Sequence, residues 1–366
     1  MPEVQFMPYP HEYRCPLGEA QRELAAICAA NGIAVCGPNC LGLINFQGKS
    51  ALFGTSLPDK VDRGGIAAIV QSGSIGIALL NSARGLGLSH LITTGNEAVT
   101  TAADYIEAVI DDPTVTTIIV FAEQIRKPAA FVQALRRARA LGKPVIVFKS
   151  GRSQSGKTAV MAHTGAVAGS DEACDAALST AGAIQVHSLD ELIETALLAS
   201  TIKSTARGVQ LGGLSLSGGE IALVLDAAED LGVTFAPLDA AKDAVKQVMP
   251  PFAHLSNPLD LTWAGLYDPT VAQRCAEAIA SQEGIGALVL LQDAPSRLGV
   301  QQAGRYARLL EAVAKGAAAA NTPLIALSNV SDQPPAQLQE TADRLTVPYL
   351  RGTRISLSAI ANYVRW

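Results

Sequence analysis

A chain of 366 residues with a net charge of −5 and interspersed signs has no basic stripe, which sets nucleic acid aside as a partner. It is 49% apolar but only 5% aromatic, so the apolar mass is Ala, Val, Leu and Ile, as in parallel sheets covered by Ala-rich helices. No apolar run reaches membrane-spanning length, and the N-terminus lacks a basic stretch followed by an apolar one; no membrane contact and a cytoplasmic location are expected.

In chain order, "LGEAQRELAAICAANGIAVCGPNCLGLINF" reads as one helix and one strand ending in Gly37-Pro38-Asn39-Cys40. A lone helix and strand cannot build a core, so residues 1–57 read as the C-terminal part of a domain. Cys36 and Cys40 are the one close pair among six cysteines, and without a second pair no metal site is expected; Cys28 and Cys36 read as buried free thiols.

"GGIAAIVQSGSIG" then predicts a strand over Ile66 to Val70, a Ser-Gly turn and a helix from about Ile75. Further strands are expected before "TTGNEA" (Thr93 to Ala98), over Thr117 to Phe121, and over Pro144 to Lys149. A Gly/Ser-rich loop, "KSGRSQSGKTAVMAHTGAVAG", leads to a helix capped by Ser170 and stopped by Gly182, and to another capped by Ser188 with Glu191 at the capping-box position. From "GVQLGGLSLSGGEIALVLDAAEDLGVTF" onward the same grammar repeats. The fold class is therefore α/β, with two tandem flavodoxin-like, doubly wound parallel-sheet domains over 58–204 and 206–366.

Ser72, Gly73 and Ser74 leave a strand and open a helix, where free amides and the positive dipole end suit a phosphate. The twin at Ser217 to Gly219 reads as a steric turn. Glu123 stands at the carboxyl end of an apolar strand, where doubly wound folds bind ligands, and a carboxylate there can orient an imidazole; it can equally be a surface acid. Lys149, Arg152 and Lys157 in the long loop can meet phosphates, but no Gly lies five positions before Gly156, so "GKT" is not a Walker ending. His163 is a nucleophile, a general base or an ordinary loop histidine, and its "AHTGAVAG" surroundings have no counterpart in the second copy. Asn96 in "TTGNEA" lines the same cleft or forms a turn. Trp263 in "NPLDLTWAG" lines an acyl pocket or, the preferred reading, packs between modules.

Together "GPNCLGLIN", "GGIAAIVQSGSIG", "TTGNEA", "KPVIVFKSGRS" and "AHTGAVAGSDE" resemble, in this order, the recurring segments of the nucleoside-diphosphate-forming acyl-CoA synthetases, relatives of succinyl-CoA synthetase. The resemblance runs from about Leu17 to the end and implies a reaction of a carboxylic acid, ATP and CoA to acyl-CoA, ADP and phosphate, through an acyl phosphate and a phosphohistidine. It implies that His163 carries the phosphoryl group, that Glu123 hydrogen-bonds it, and that Ser72, Gly73, Ser74, Thr164 and Gly165 hold the phosphate. It implies CoA or nucleotide contacts at Asn39, Cys40, Asn96, Lys149 and Arg152. Only the last helix and strand of the family's Rossmann-like CoA-binding domain are recognisable in residues 1–57, and no ATP-grasp part is recognisable. ATP/ADP with Mg is therefore expected on an ATP-grasp domain or partner subunit, and the chain alone is expected to be incomplete, with homo-oligomerisation also expected. A non-catalytic ligand-binding or regulatory remnant is the alternative; a synthetase-like region of a protein acetyltransferase is disfavoured because no acetyltransferase segment is visible.

Overall fold

The computed structural model describes residues 17–158, 171–202 and 208–366. Its first sheet has seven strands in the order β2-β1-β4-β3-β5-β6-β7: β1 (Gly42–Asn45), β2 (Ser50–Phe53), β3 (Arg63–Val70), β4 (Leu88–Thr93), β5 (Thr117–Ala122), β6 (Val145–Lys149) and β7 (Ile184–Val186). From β4 to β7 the pairs are parallel, giving the flavodoxin order 2-1-3-4-5. Every residue of β4 and of β5 is buried, as strands covered on both faces require. Helices α1 (Leu17–Asn31), α2 (Gly73–Leu80), α3 (Ala102–Ile110), α4 (Pro128–Ala140), α5 (Asp171–Thr180) and α6 (Leu189–Thr201) accompany this unit.

The second sheet runs β12-β11-β10-β8-β9, all parallel, with β8 (Gln210–Ser215), β9 (Leu259–Asp260), β10 (Ile285–Leu291), β11 (Leu324–Ser328) and β12 (Tyr349–Arg351). Counted within its own unit, this is again 2-1-3-4-5. Its helices include α7 (Gly218–Leu231), α8 (Lys242–Lys246), α9 (Thr262–Tyr267), α10 (Pro269–Ala280), α11 (Val300–Ala319), α12 (Ala336–Leu345) and α13 (Thr353–Arg365).

The expected strand before Gly37 is absent: Ile33 to Cys36 join no ladder. Their carbonyls are met by a loop instead, with the Thr100 amide donating to Val35 O (3.4 Å) and the Ala98 amide to Gly37 O (3.0 Å). The strands form after the Gly-Pro-Asn-Cys turn, as the β1–β2 hairpin, and β1 pairs antiparallel with β4. Residues 42–53 thus extend the first sheet at its edge. Helix α2 begins at Gly73, two residues before the expected start, because Ser72 caps it by accepting from the Ile75 amide. Ser188 caps α6 as expected, but the Glu191 carboxylate accepts from the His187 amide, one residue before the cap. Ser170, the expected cap of α5, lies outside the described residues. Cys28 is buried and Cys36 half-buried, both as free thiols, with the Cys36 and Cys40 sulfurs 3.8 Å apart.

Two helices lock the units together. Ser358 on α13 donates to Glu191 on α6 (2.6 Å), and the Trp366 indole donates to Gly182 O (3.0 Å). Leu198 of α6 lies in the apolar core of the second unit, while Trp366 packs against that of the first.

Candidate functional site

Parallel strands deliver their carboxyl ends to one edge, and there the turn after β3 meets the turn after β5. Gln71 joins them: its Oε1 accepts from the amides of Glu123 (2.6 Å) and Gln124 (2.9 Å), and its Nε2 donates to Gln124 O (2.5 Å). One amide side chain therefore holds Glu123 in a fixed relation to the start of α2. Sequence reading of the Ser-Gly turn passed over Gln71, because an amide after a strand gives no periodic signal.

At that start Ser72 and Ser74 exchange a hydroxyl hydrogen bond (2.9 Å), and the first-turn amides of Gly73 and Ser74 have no intrahelical acceptor by helix geometry. The positive end of α2 thus faces the edge beside Glu123. A Cβ on Gly73 would sit 3.0 Å from Leu41 Cγ, so the Asn39–Cys40 turn and the α2 start share one neighbourhood.

That turn and the "TTGNEA" turn interlock. Asn39 donates to Asn96 Oδ1 (3.4 Å), Asn96 donates to Gln21 Oε1 (3.1 Å), and the Asn96 amide donates to Pro38 O (2.9 Å). Gly95 has φ +56°, and a Cβ there would stand 2.3 Å from Pro38 O, so only glycine lets the two turns close. Thr93 Oγ1 accepts from the Leu41 amide and donates to Gly42 O, both at 2.9 Å. Asn39, Cys40 and Asn96 are thereby gathered beside the β3–α2 turn.

Glu97, which sequence reading did not single out, is 3% exposed and accepts from Thr94 Oγ1 (2.8 Å). Burial pushes its carboxyl above the ordinary range, partly offset by hydrogen bonds from Gln71 and Thr94 and by the Arg126 charge.

On the other flank Lys149 ends β6 and donates to Ser150 O (2.6 Å). Burial lowers its pKa against the opposing pull of Cys174, Asp171 and Glu123; Lys149 stands opposite Ala122 on the β5–β6 ladder, one residue before Glu123. Arg152 pairs with Asp175 of α5, and Lys157 pairs with Asp171 (2.7 Å). The second pair ties the chain before residue 159 to the chain after residue 170. His163, Thr164 and Gly165 lie outside the described residues.

Trp263 is 68% exposed on α9, stacked on Tyr267 with centroids 6.0 Å apart, so the preferred reading of it as packing between modules is overturned. The packing signal of "NPLDL" belongs to Asn257, whose side chain accepts from the Gly213 amide (2.7 Å) and donates to Leu211 O and Ala236 O (3.0 and 2.7 Å). Among the described residues no group of three or more His, Cys, Asp or Glu side chains could hold a metal ion, and no helix is long and apolar enough to cross a membrane.

The strand order, with an acid, a lysine and a capped helix start along the carboxyl edge, defines a flavodoxin-like α/β unit. Residues 63–199 match the succinyl-CoA ligase like flavodoxin domain. The chain is 34% identical over 291 residues to a trans-feruloyl-CoA synthase from an unknown prokaryotic organism, spanning 77% of this chain and 41% of that protein. It is also 34% identical to the ADP-forming 4-hydroxybutyrate–CoA ligase of Nitrosopumilus maritimus (66% of this chain, 35% of the relative). The α subunit of ADP-forming acetate–CoA ligase I of Pyrococcus furiosus is 32% identical (67% of this chain, 52% of the subunit). In fold the chain is similar to the dinucleotide-forming acetyl-coenzyme A synthetase 1 of Ca. Korarchaeum cryptofilum, solved with phosphate and ADP (TM-score 0.78, 24% identity, 95% of this chain and 74% of that one). The chain belongs to the nucleoside-diphosphate-forming, specifically ADP-forming, acyl-CoA synthetase family. It spans less than half the length of the first two relatives.

Proposed function

We propose that this chain is the α-type part of an ADP-forming acyl-CoA synthetase, working through a phosphohistidine at His163. In the direction easiest to follow, phosphate attacks the thioester carbonyl of an acyl-CoA and CoA leaves as the thiol, giving an acyl phosphate. A neutral imidazole nitrogen of His163 then attacks phosphorus, the carboxylic acid leaves, and the phosphoryl group passes to ADP to make ATP. The covalent carrier splits one transfer into two.

This chain's described residues fit the phosphoryl half of that chemistry. Glu123 accepts the imidazole N–H and keeps the reacting nitrogen unprotonated. The Gly73 and Ser74 amides and the Ser72 hydroxyl stabilise the phosphoryl oxygens with little reorganisation. Lys149 adds a cation beside Glu123. Asn39, Cys40 and Asn96 form the flank assigned to CoA and the acid; Arg152, paired with Asp175, orients α5 rather than meeting a ligand directly. ATP and its Mg belong to an ATP-grasp domain or partner subunit. The carrying observation is the Gln71 clamp, which holds Glu123 and the α2 start in one frame.

The test is labelling with γ-³²P-ATP in the presence of an ATP-grasp subunit from a relative. Wild type is expected to take up acid-labile, alkali-stable phosphate, and His163→Ala to take up none. Normal turnover of such an assembly carrying His163→Ala would overturn the mechanism.

A further inference from the structure

Away from the carboxyl edge of the first sheet, the two units enclose a cleft of about 560 Å³. The amino end of β3 and the loop before β4 form one wall, and α12, the turn after it and β12 form the other. Behind the lining residues Arg84 and Arg351 is Glu194 of α6, 4% exposed. Arg84 takes this carboxylate with both prongs of its fork: Nε donates to Oε1 (2.7 Å) and Nη2 to Oε2 (2.5 Å). The Arg351 backbone amide donates to the same Oε2 (3.3 Å).

The Arg351 side chain receives nothing comparable. The residue is 8% exposed, and its Nε is buried without a hydrogen-bond partner. Two guanidinium groups therefore lie near one buried carboxylate, Glu194, which the Arg84 fork already occupies. Asp332 is the next acid to act on Arg351, but its carboxylate accepts from Ser296 and from the Gln333 amide. Burial and the Arg84 charge push the Arg351 pKa down to about 10, which leaves it charged at neutral pH. The cleft's own acids are engaged too: Asp62 pairs with Lys60 (3.7 Å), and Asp343 accepts from Gln339 (2.9 Å). A buried cation without an acceptor is costly, and native proteins rarely keep one unless something else supplies the charge.

We infer that the cleft between the two units is a binding site for a small metabolite bearing an oxyanion, a carboxylate or a phosphate, which Arg351 grips through its Nη groups, the guanidinium nitrogens not enclosed by protein. A guanidinium fork matches either group bidentately. The volume lies in the range of small-molecule pockets, larger than a bare ion needs. Because Arg84 and Glu194 belong to the first unit and Arg351 to the second, occupancy joins the two units. This site is separate from the Ser72 turn and does not depend on phosphohistidine chemistry.

The experiment follows the Arg351 side-chain Nε–Hε resonance, assigned by backbone correlation and by its loss in Arg351→Lys. The probes are inorganic phosphate and sodium acetate, each titrated at constant ionic strength held with sodium chloride. A saturable shift at millimolar concentration is expected, with overall affinity about tenfold weaker in Arg351→Lys when measured on the other cleft resonances. Saturation by phosphate first identifies a phosphate-bearing ligand, and by acetate first a carboxylate. A shift that grows linearly with both anions, or no shift with either, overturns the proposal. The wild-type titration decides this alone should the lysine variant not fold, and phosphate bound at Ser72 does not register on this signal.

Discussion

Gln71 in the first unit and Leu216 in the second stand at the same place, one residue beyond the first strand and one before the Ser-Gly pair. Counting along the ladders from Val70 opposite Phe121 and Leu214 opposite Leu290, Glu123 likewise corresponds to Asp293. Both units therefore keep an acid at the end of the central strand. In the first unit Gln71 reaches across and fixes the backbone of that acid to the helix start. In the second unit Leu216 offers no such group, Ser217 makes no side-chain cap, and Asp293 turns to the neighbouring strand end, accepting from the Asn329 amide (2.5 Å). Ser215 there spends its hydroxyl on Glu220 (2.6 Å). A duplicated fold supplies two equivalent edges; a single side chain one residue past the strand separates a clamped edge from an inward-tied one.

Substitutions can break that contrast. The largest effect is expected from Glu123→Gln, which should lower the rate of phosphohistidine formation by about a hundredfold, while Asp293→Asn leaves the rate unchanged in the same labelling assay. Gln71→Leu, which installs the second unit's residue, should slow labelling about tenfold by misplacing Glu123 and cost about 2 kcal/mol in denaturant unfolding, since it strands two backbone donors. The reciprocal Leu216→Gln should not raise labelling. Gly76→Ala should destabilise by about 1–2 kcal/mol, read as a lower melting temperature. A Cβ there would lie 2.7 Å from Thr93 Cγ2, whereas the second unit accommodates Ile221 at the matching position.

The smallest expected effect is in pH dependence. Glu97 has a folded pKa raised by burial above its ordinary 4.5. Between those two values the native state binds more protons than the unfolded one. Its contribution to stability is therefore full below the ordinary value and is lost as pH rises through the folded value. Glu97→Gln should flatten that part of the stability profile, measured by urea unfolding across the acid range.

Much of this architecture was legible because it repeats. Buried strands such as Thr117 to Ala122 are unbroken β-branched and apolar runs, and Ser-Gly turns with downstream helices mark each crossover. The hairpin was not legible: Ile33 to Cys36 have strand composition but join no ladder, whereas Gly42 to Asn45 pair with the edge of β4 that β3 leaves free. Of the site, Ser72 to Ser74, Glu123 and Lys149 could be picked out because each sits at a strand or helix end. Gln71, Glu97 and Arg351 could not, since their roles depend on contacts between segments 26 to 157 residues apart that no local pattern encodes.

The exchange of apolar contacts between α6 and α13 also gives the chain a built-in optical reporter. It has two tryptophans: Trp263 lies open to solvent on the second unit, and Trp366 sits on the seam with its indole on Gly182. Quenching the first with a soluble collisional quencher leaves emission that comes from the seam. Separation of the units would be seen as a red shift of that remaining emission, whatever the state of either core.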